Sequence, residues 1–290
     1  MKFIDIHTHI QQHDPAELEG IISRAQEAGV GAMVLAGVTV EDSRRCLELA
    51  ALHAPLFAGV GVHPTDLDGN LSAPDVAELD RMAARPETVV VSETGIDHQQ
   101  HVLERPAPAG ASWREIQERA FVAQIEIALA HRLPIVFHVR EPDDDYTAGS
   151  AWPAAIRILH DTGAGQAGGA AHYFQGDYEL AKRVIDAGFM VSLARPLLRL
   201  KHLQEAAARL PLDSIVLETD SFPQPFKKDR VKWTEPRHVA MVAETLAQLR
   251  GIAAAEVRSA TSANAIRMIG ERGQRVREAL EIPGAESAGR

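Results

Sequence analysis

The chain has 290 residues, 46% hydrophobic and 24% charged, a balance that excludes a disordered tail protein, a collagen-like rod and a disulfide scaffold. Thirty basic residues against forty acidic leave a net charge of -10, which excludes a protein that grips long duplex DNA through a general positive field. The lone Cys46 has no partner for a disulfide or a thiolate metal site, and no apolar run is long enough to cross a bilayer.

In chain order, short β-branched runs alternate with stretches of helical period. Strands are predicted at residues 3–6, 32–36, 56–62, 88–92, 135–137, 170–172, 189–193 and 214–217. Helices are predicted near residues 15–28, 41–53, 75–85, 113–131, 152–162, 178–187, 201–208 and 236–249. Cys46 falls on the second of these, where a small buried side chain is expected. Eight strand–helix units in sequence predict a single α/β (β/α)8 barrel of the TIM type over residues 1–269. Residues 270–290 read as a frayed tail. The opening MKFIDIHTHIQQH has no apolar targeting segment, so the expectation is a soluble, reduced, cytoplasmic protein with no membrane and no obligate protein partner. Two polar stretches, 98–112 and 141–151, follow strands and are expected beside the C-terminal mouth, as cleft walls or tolerated insertions.

The chemistry is written at the strand ends. The first strand runs into Asp5-Ile6-His7-Thr8-His9, the third into His63-Pro64 and the fourth into Glu93. The fifth runs into His138 with Arg140, the sixth into His172 and the eighth into Glu218-Thr219-Asp220. That end of a barrel is where active sites are built. Residues two apart on a strand share a side, so His7 and His9 can reach one cation. Joined by Glu93, His138, His172 and Asp220, they make six N/O ligands without a thiolate, a set suited to zinc, manganese or magnesium. Six exceeds what one catalytic zinc takes, which predicts a site for two divalent ions.

With HTH near the start, then GVHP, SETG, FHVR, HYFQG and ETD in this order, the chain resembles the TatD family of metal-dependent hydrolases within the amidohydrolase barrel superfamily. The resemblance runs from Met1 to about Ile269 and includes Gln117, Phe121, Gln124 and Ala128, Leu133-Pro134, Glu235-Pro236 and the stretch from Asn264. It implies a divalent-metal centre and hydrolysis of phosphodiester bonds in DNA. By resemblance, His7, His9 and Asp220 hold one ion, His138 and His172 the other, and Glu93 bridges them. His63 and Arg140 fall where the family places substrate-facing residues, with hydrogen bonding and charge pairing to a phosphate as their expected work. The chain departs from the family around the pocket, with Ser92-Glu93-Thr94-Gly95-Ile96-Asp97-His98, His172-Tyr173-Phe174 and Thr234-Glu235-Pro236.

The mechanism expected from charge is a water held as hydroxide between two cations, in-line attack on phosphorus and Asp220 as general base. An acidic body then favours DNA ends or single strands over duplex tracts. Two other readings share the centre. One is an amide, ester or lactone hydrolase, including D-aminoacyl-tRNA deacylation; the other is a binding protein that retains metal without turnover.

Several groups carry blander expectations. His53, His131, His160, His202 and His238 lie on helices or their ends and are assigned core or surface roles. His13, His98 and His101 are expected as solvated loop histidines, and Trp113, Trp152 and Trp233 as packing residues. The G-x-G-x-x-G at 163–168 follows a helix instead of a strand, so it reads as a helix stop and not a dinucleotide site. Asp143-Asp144-Asp145 reads as a solvated acidic run.

Overall fold

The computed structural model describes residues 1–142 and 149–281, so the acidic run at 143–145 lies outside the described residues. Eight parallel strands stand in sequential order: β1 (Phe3–Thr8), β2 (Val30–Ala36), β3 (Leu56–Val60), β4 (Thr88–Asp97), β5 (Ile135–Arg140), β6 (Gly169–Ala171), β7 (Met190–Leu193) and β8 (Ile215–Leu217). Past β8 the chain is stitched back to β1. The Asp220 N–H donates to the His7 carbonyl at 3.0 Å, and the His9 N–H to the Ser221 carbonyl at 2.7 Å. The architecture is a (β/α)8 barrel.

Strand alternation divides the apolar residues into two cores. Met33 and Leu35 of β2, Ala58 and Val60 of β3, Phe137 of β5 and Leu217 of β8 face the outer helices, where they meet Ile21, Phe121 and Trp152. Their neighbours Ala32, Val34, Phe57, Val136, Ala170 and Val216 gather in a second cluster. Strands as far apart as β2, β5 and β8 share contacts only inside the cylinder. The interior is therefore an apolar floor, and the polar residues begin above it, at the C-terminal ends of the strands.

Local signals start the helices where the sequence reading put them. Asp14, Thr39 and Ser72 accept from backbone N–H groups at the starts of Pro15–Glu27, Val40–Leu52 and Ala73–Ala83, and Ser112 with Glu115 forms a capping box before Trp113–His131. Cys46 is fully buried on Val40–Leu52, and burial pushes its thiol well up.

Three regions differ from the sequence reading. Strand β4 runs to Asp97 instead of stopping at 92, pairing Gly95 with His138 and Asp97 with Arg140 of β5. A helix not foreseen, Ala254–Ile269, packs against β1 and β8. Its buried face mixes Thr261, Ser262 and Asn264 with Val257 and Ile266, so the apolar period is blurred; Asn264 Nδ2 donates to the Leu212 and Ile215 carbonyls at 2.8 Å. The expected frayed tail is also corrected as far as it is described. Gly273–Glu281 is a helix whose Val276 is buried in the interior cluster, because the open lower end of the barrel offers apolar surface to cover. Residues 282–290 lie outside the described residues.

Candidate metal centre and active site

All six residues predicted as ligands meet at the C-terminal mouth of the barrel, around Glu93. Glu93 Oε2 lies 3.3 Å from both His7 Nε2 and His9 Nε2. Its other oxygen, Oε1, lies 2.9 Å from His172 Nε2 and 3.3 Å from His138 Nδ1. Asp220 Oδ1 closes the first group, 3.4 Å from His9 Nε2 and 3.9 Å from His7 Nε2. One buried carboxylate thus turns one oxygen to each of two histidine pairs. Ligand atoms of His7, His9 and Glu93, and those of His7, His172 and Asp220, lie within 4.8 Å of one another.

The outward nitrogens reveal what the inward ones do. His9 Nδ1 donates to the Ala36 carbonyl at 2.9 Å, His138 Nε2 to Asp97 Oδ2 at 3.1 Å and His172 Nδ1 to Glu218 Oε1 at 3.2 Å. A carbonyl or a carboxylate only accepts, so each outer nitrogen carries a hydrogen and each inner nitrogen is the one left to take a proton or a metal ion. Those inner nitrogens face carboxylate oxygens, an arrangement that calls for positive charge between. Metal-bound histidine characteristically carries such an outer hydrogen bond to a carboxylate or a carbonyl. The donor chemistry therefore fits divalent cations.

Titration behaviour reports the same demand. Burial would lower the His9 imidazole, but hydrogen bonds to Asp220 and Glu93 carry it up to about 10. Burial would likewise lower His172, which Glu93 and Glu218 hold well above its ordinary range. Burial would raise the two central carboxyls. Instead the surrounding imidazoles, His63 foremost, keep Glu93 well below the usual range, and His9 chiefly brings Asp220 down to about 2. His7, buried beside His172, is lowered.

Two residues at the site have left-handed backbones. Asp220 has φ 49°, held by its N–H bond to His7, and Tyr173 has φ 46°, its N–H donating to Glu218 Oε1 at 2.6 Å. Such conformations cost about 1–3 kcal/mol each and persist where surrounding contacts impose them.

His63 and Arg140 line the same cavity, of about 620 Å³, with His9, Glu93, His138, His172, Tyr173 and Asp220. His63 sits closer to the ligands than a purely substrate-facing residue would. Its Nε2 is 3.3 Å from Glu93 Oε1, it groups with Glu93 and His138, and its Nδ1 lies 2.7 Å from Thr65 Oγ1.

Sequence reasoning assigned no role to Asp97, Glu218 or Asp5. Glu218 carries three bonds, to His172, to the Tyr173 N–H and from Ser192 Oγ at 2.5 Å. Asp5 accepts from Thr219 Oγ1 and from the Thr219 and His7 N–H groups, while burial pushes its carboxyl up to about 8. The signal for both was period two, since Asp5 precedes His7 and Glu218 precedes Asp220 by two residues. Asp97 was hidden by the early end assigned to β4.

His13 and His98 are not the solvated loop histidines expected. Both are buried, and Arg114 Nη1 lies 2.7 Å from His98 Nδ1. Trp113 and Trp152 are buried, as expected of packing residues; Trp233 is partly exposed.

The barrel and its histidine–carboxylate mouth define the class, a metal-dependent hydrolase. The family model of TatD-related DNases matches residues 4–270, and the chain belongs to that family. It is 30% identical over 271 residues to an uncharacterized metal-dependent hydrolase, YabD, of Bacillus subtilis, a match covering 91% of this chain and 97% of that one. It is 26% identical over 260 residues to the 3'-5' ssDNA/RNA exonuclease TatD of Shigella flexneri, covering 87% and 92%. The crystal structure of YjjV, a TatD homologue from Escherichia coli, superposes with a TM-score of 0.77 at 25% identity, covering 92% of this chain and 97% of that one.

Proposed function

We propose that the protein is a phosphodiesterase dependent on two divalent ions, acting on DNA at ends or in single strands. The carrying observation is Glu93, whose two oxygens face two separate histidine pairs. In this reading His7, His9 and Asp220 would hold one ion and His138 and His172 the other, with Glu93 serving both. Magnesium, manganese or zinc would supply Lewis acidity toward a phosphoryl oxygen and make water more acidic.

The remaining work belongs to the chain. Asp97, Glu218 and the Ala36 carbonyl hold a hydrogen on the outer nitrogens of His138, His172 and His9, which turns the inner nitrogens toward Glu93. Asp220, ionised at neutral pH, accepts at its carboxylate the proton released by the attacking water. Arg140 presents a planar guanidinium and His63 an imidazole to the anionic substrate from the cavity wall. The cavity takes a strand end more readily than a duplex, and a net charge of -10 opposes long polyanions away from the site. The relative named as a 3'-5' ssDNA/RNA exonuclease supports nucleic acid over small esters.

The test couples elemental analysis to turnover of labelled single-stranded DNA, closed circular duplex and small carboxylic esters. Single strands are expected to be cleaved fastest, with EDTA abolishing turnover and a divalent ion restoring it. Asp220→Asn should lose turnover by at least about a thousand-fold with an unchanged Tm, and Glu93→Gln should purify with less metal. Preference for circular duplex or for esters, or wild-type rates in Asp220→Asn, would overturn the reading.

A further inference from the structure

The body of the protein is acidic, but the loop leaving β8 is not. From Phe226 to Lys232 it reads Phe-Lys-Lys-Asp-Arg-Val-Lys. Part of that charge is already neutralised. Arg230 pairs with Glu17 and Glu235, and Lys232 Nζ lies 3.7 Å from Asp229.

Arg195 and Lys227 are different. Arg195, just beyond β7, donates from Nη1 to Thr234 Oγ1 at 2.9 Å, and Lys227 Nζ donates to Gln224 Oε1 at 2.7 Å. The same Gln224 oxygen accepts from the Thr234 N–H at 2.9 Å, so one small network sets the two cations side by side. Among the described residues, neither has a carboxylate within ion-pairing distance. Partial burial and the nearby Arg195 charge hold the Lys227 ammonium below its ordinary range.

Both cations open into a cavity of about 500 Å³, whose other walls include Val231, Trp233 and Met241. The Trp233 indole N–H donates to the Lys227 carbonyl at 3.3 Å and the Arg230 guanidinium lies over its ring at 4.3 Å, while Phe226 stands 70% exposed on the same loop. Two cations without a carboxylate partner among the described residues, beside the exposed Phe226 ring, complement a phosphate joined to a base. The position on the chain is also apt. Phe222 lines the catalytic cavity and Gln224, two residues on, anchors Lys227, so a single loop leads from one cavity to the other.

We propose that this pocket is a second nucleotide subsite. In it Arg195 and Lys227 hold a backbone phosphate of a single strand away from the reacting bond, while the exposed Phe226 beside the pocket offers a face to its base. The inference rests on the phosphodiesterase reading and adds to it a dependence on strand length.

The test compares wild type with Lys227→Gln and Phe226→Ala in two assays. Turnover is measured on bis(p-nitrophenyl) phosphate and on a single-stranded DNA of about ten nucleotides. Binding is measured by fluorescence anisotropy, in an Asp220→Asn background with divalent metal, on labelled strands of about two and about ten nucleotides across a salt series. Each substitution is expected to raise KM and Kd for the longer strand by about five- to ten-fold. It should leave kcat, the small phosphodiester and the dinucleotide unchanged. Lys227→Gln should also flatten the salt dependence of log Kd by about 0.7.

An unchanged longer strand, or an equal loss on every substrate, overturns the subsite. A wild-type protein that cleaves neither substrate overturns the phosphodiesterase reading instead. The anisotropy arm then still decides the subsite: length-dependent binding that falls in Lys227→Gln upholds it, and length-independent binding removes it.

Discussion

A carboxylate that touches no substrate still governs the centre through the histidine it holds. Asp97 and Glu218 fix which nitrogen of His138 and of His172 points inward. Replacing either by its amide leaves the shape but weakens the hold on the hydrogen at the outer nitrogen. Asp97→Asn and Glu218→Gln are each expected to lower metal affinity by about 10- to 100-fold, measured by competition with a chelator, with Tm of the metal-free protein little changed. His98 makes a separate prediction. Burial, then the Arg114 charge, lowers its pKa to about 4, and Arg114 donates to its Nδ1, so the folded protein holds it neutral. In the unfolded chain it titrates near about 6.5. Above that pH neither state binds the proton. As pH falls from about 6.5 toward 4 only the unfolded chain does, and stability is lost. The loss is expected to reach about 2 kcal/mol at pH 5, and urea unfolding at pH 7 and pH 5 should show it shrinking in His98→Gln.

At the scale of the element, strand β4 decides most. It carries Glu93 at its middle and Asp97 at its end, and both face the same histidine on β5. Gly95 lies between them at φ 139°, where an added Cβ would come 2.0 Å from the His138 carbonyl oxygen. A side chain there would push apart the two strands that carry the site. Gly95→Ala is expected to cost about 3 kcal/mol, a Tm drop of roughly 6–12 °C, and to weaken metal binding as well. Normal metal affinity in a stable Gly95→Ala protein would contradict that coupling. The same glycine explains why β4 was read short. In one dimension Thr94-Gly95 looks like a strand end, whereas here the missing side chain is what lets the backbones approach.

Across the whole molecule, the apolar floor under the metal centre is closed by chain segments far from it. Val276, with Ala279 and Leu280 packed nearby, covers the lower opening, and Arg272 and Arg275 donate to the carbonyls of Arg85, Thr88 and Pro86. Truncation after Arg272 is expected to destabilise the barrel by about 2–4 kcal/mol through exposed apolar surface. Thermal unfolding would detect it, and metal stoichiometry should remain that of the full chain. An unchanged Tm would show that the floor is sealed without this helix.

From the sequence alone, the eight strand–helix units and six ligand-type side chains at strand ends were legible, because both follow from local period and from the rule that barrel sites form at the C-terminal mouth. Other features depended on contacts between distant segments: Asp97 and Glu218 behind the histidines, His63 drawn up to Glu93, the helix closing the floor and the network that brings Arg195 and Lys227 to one cavity. Periodicity reports which face a residue occupies on its own element. Which groups then share a proton, a cation or a cavity is set by how the cylinder closes, and that is a property of the folded chain.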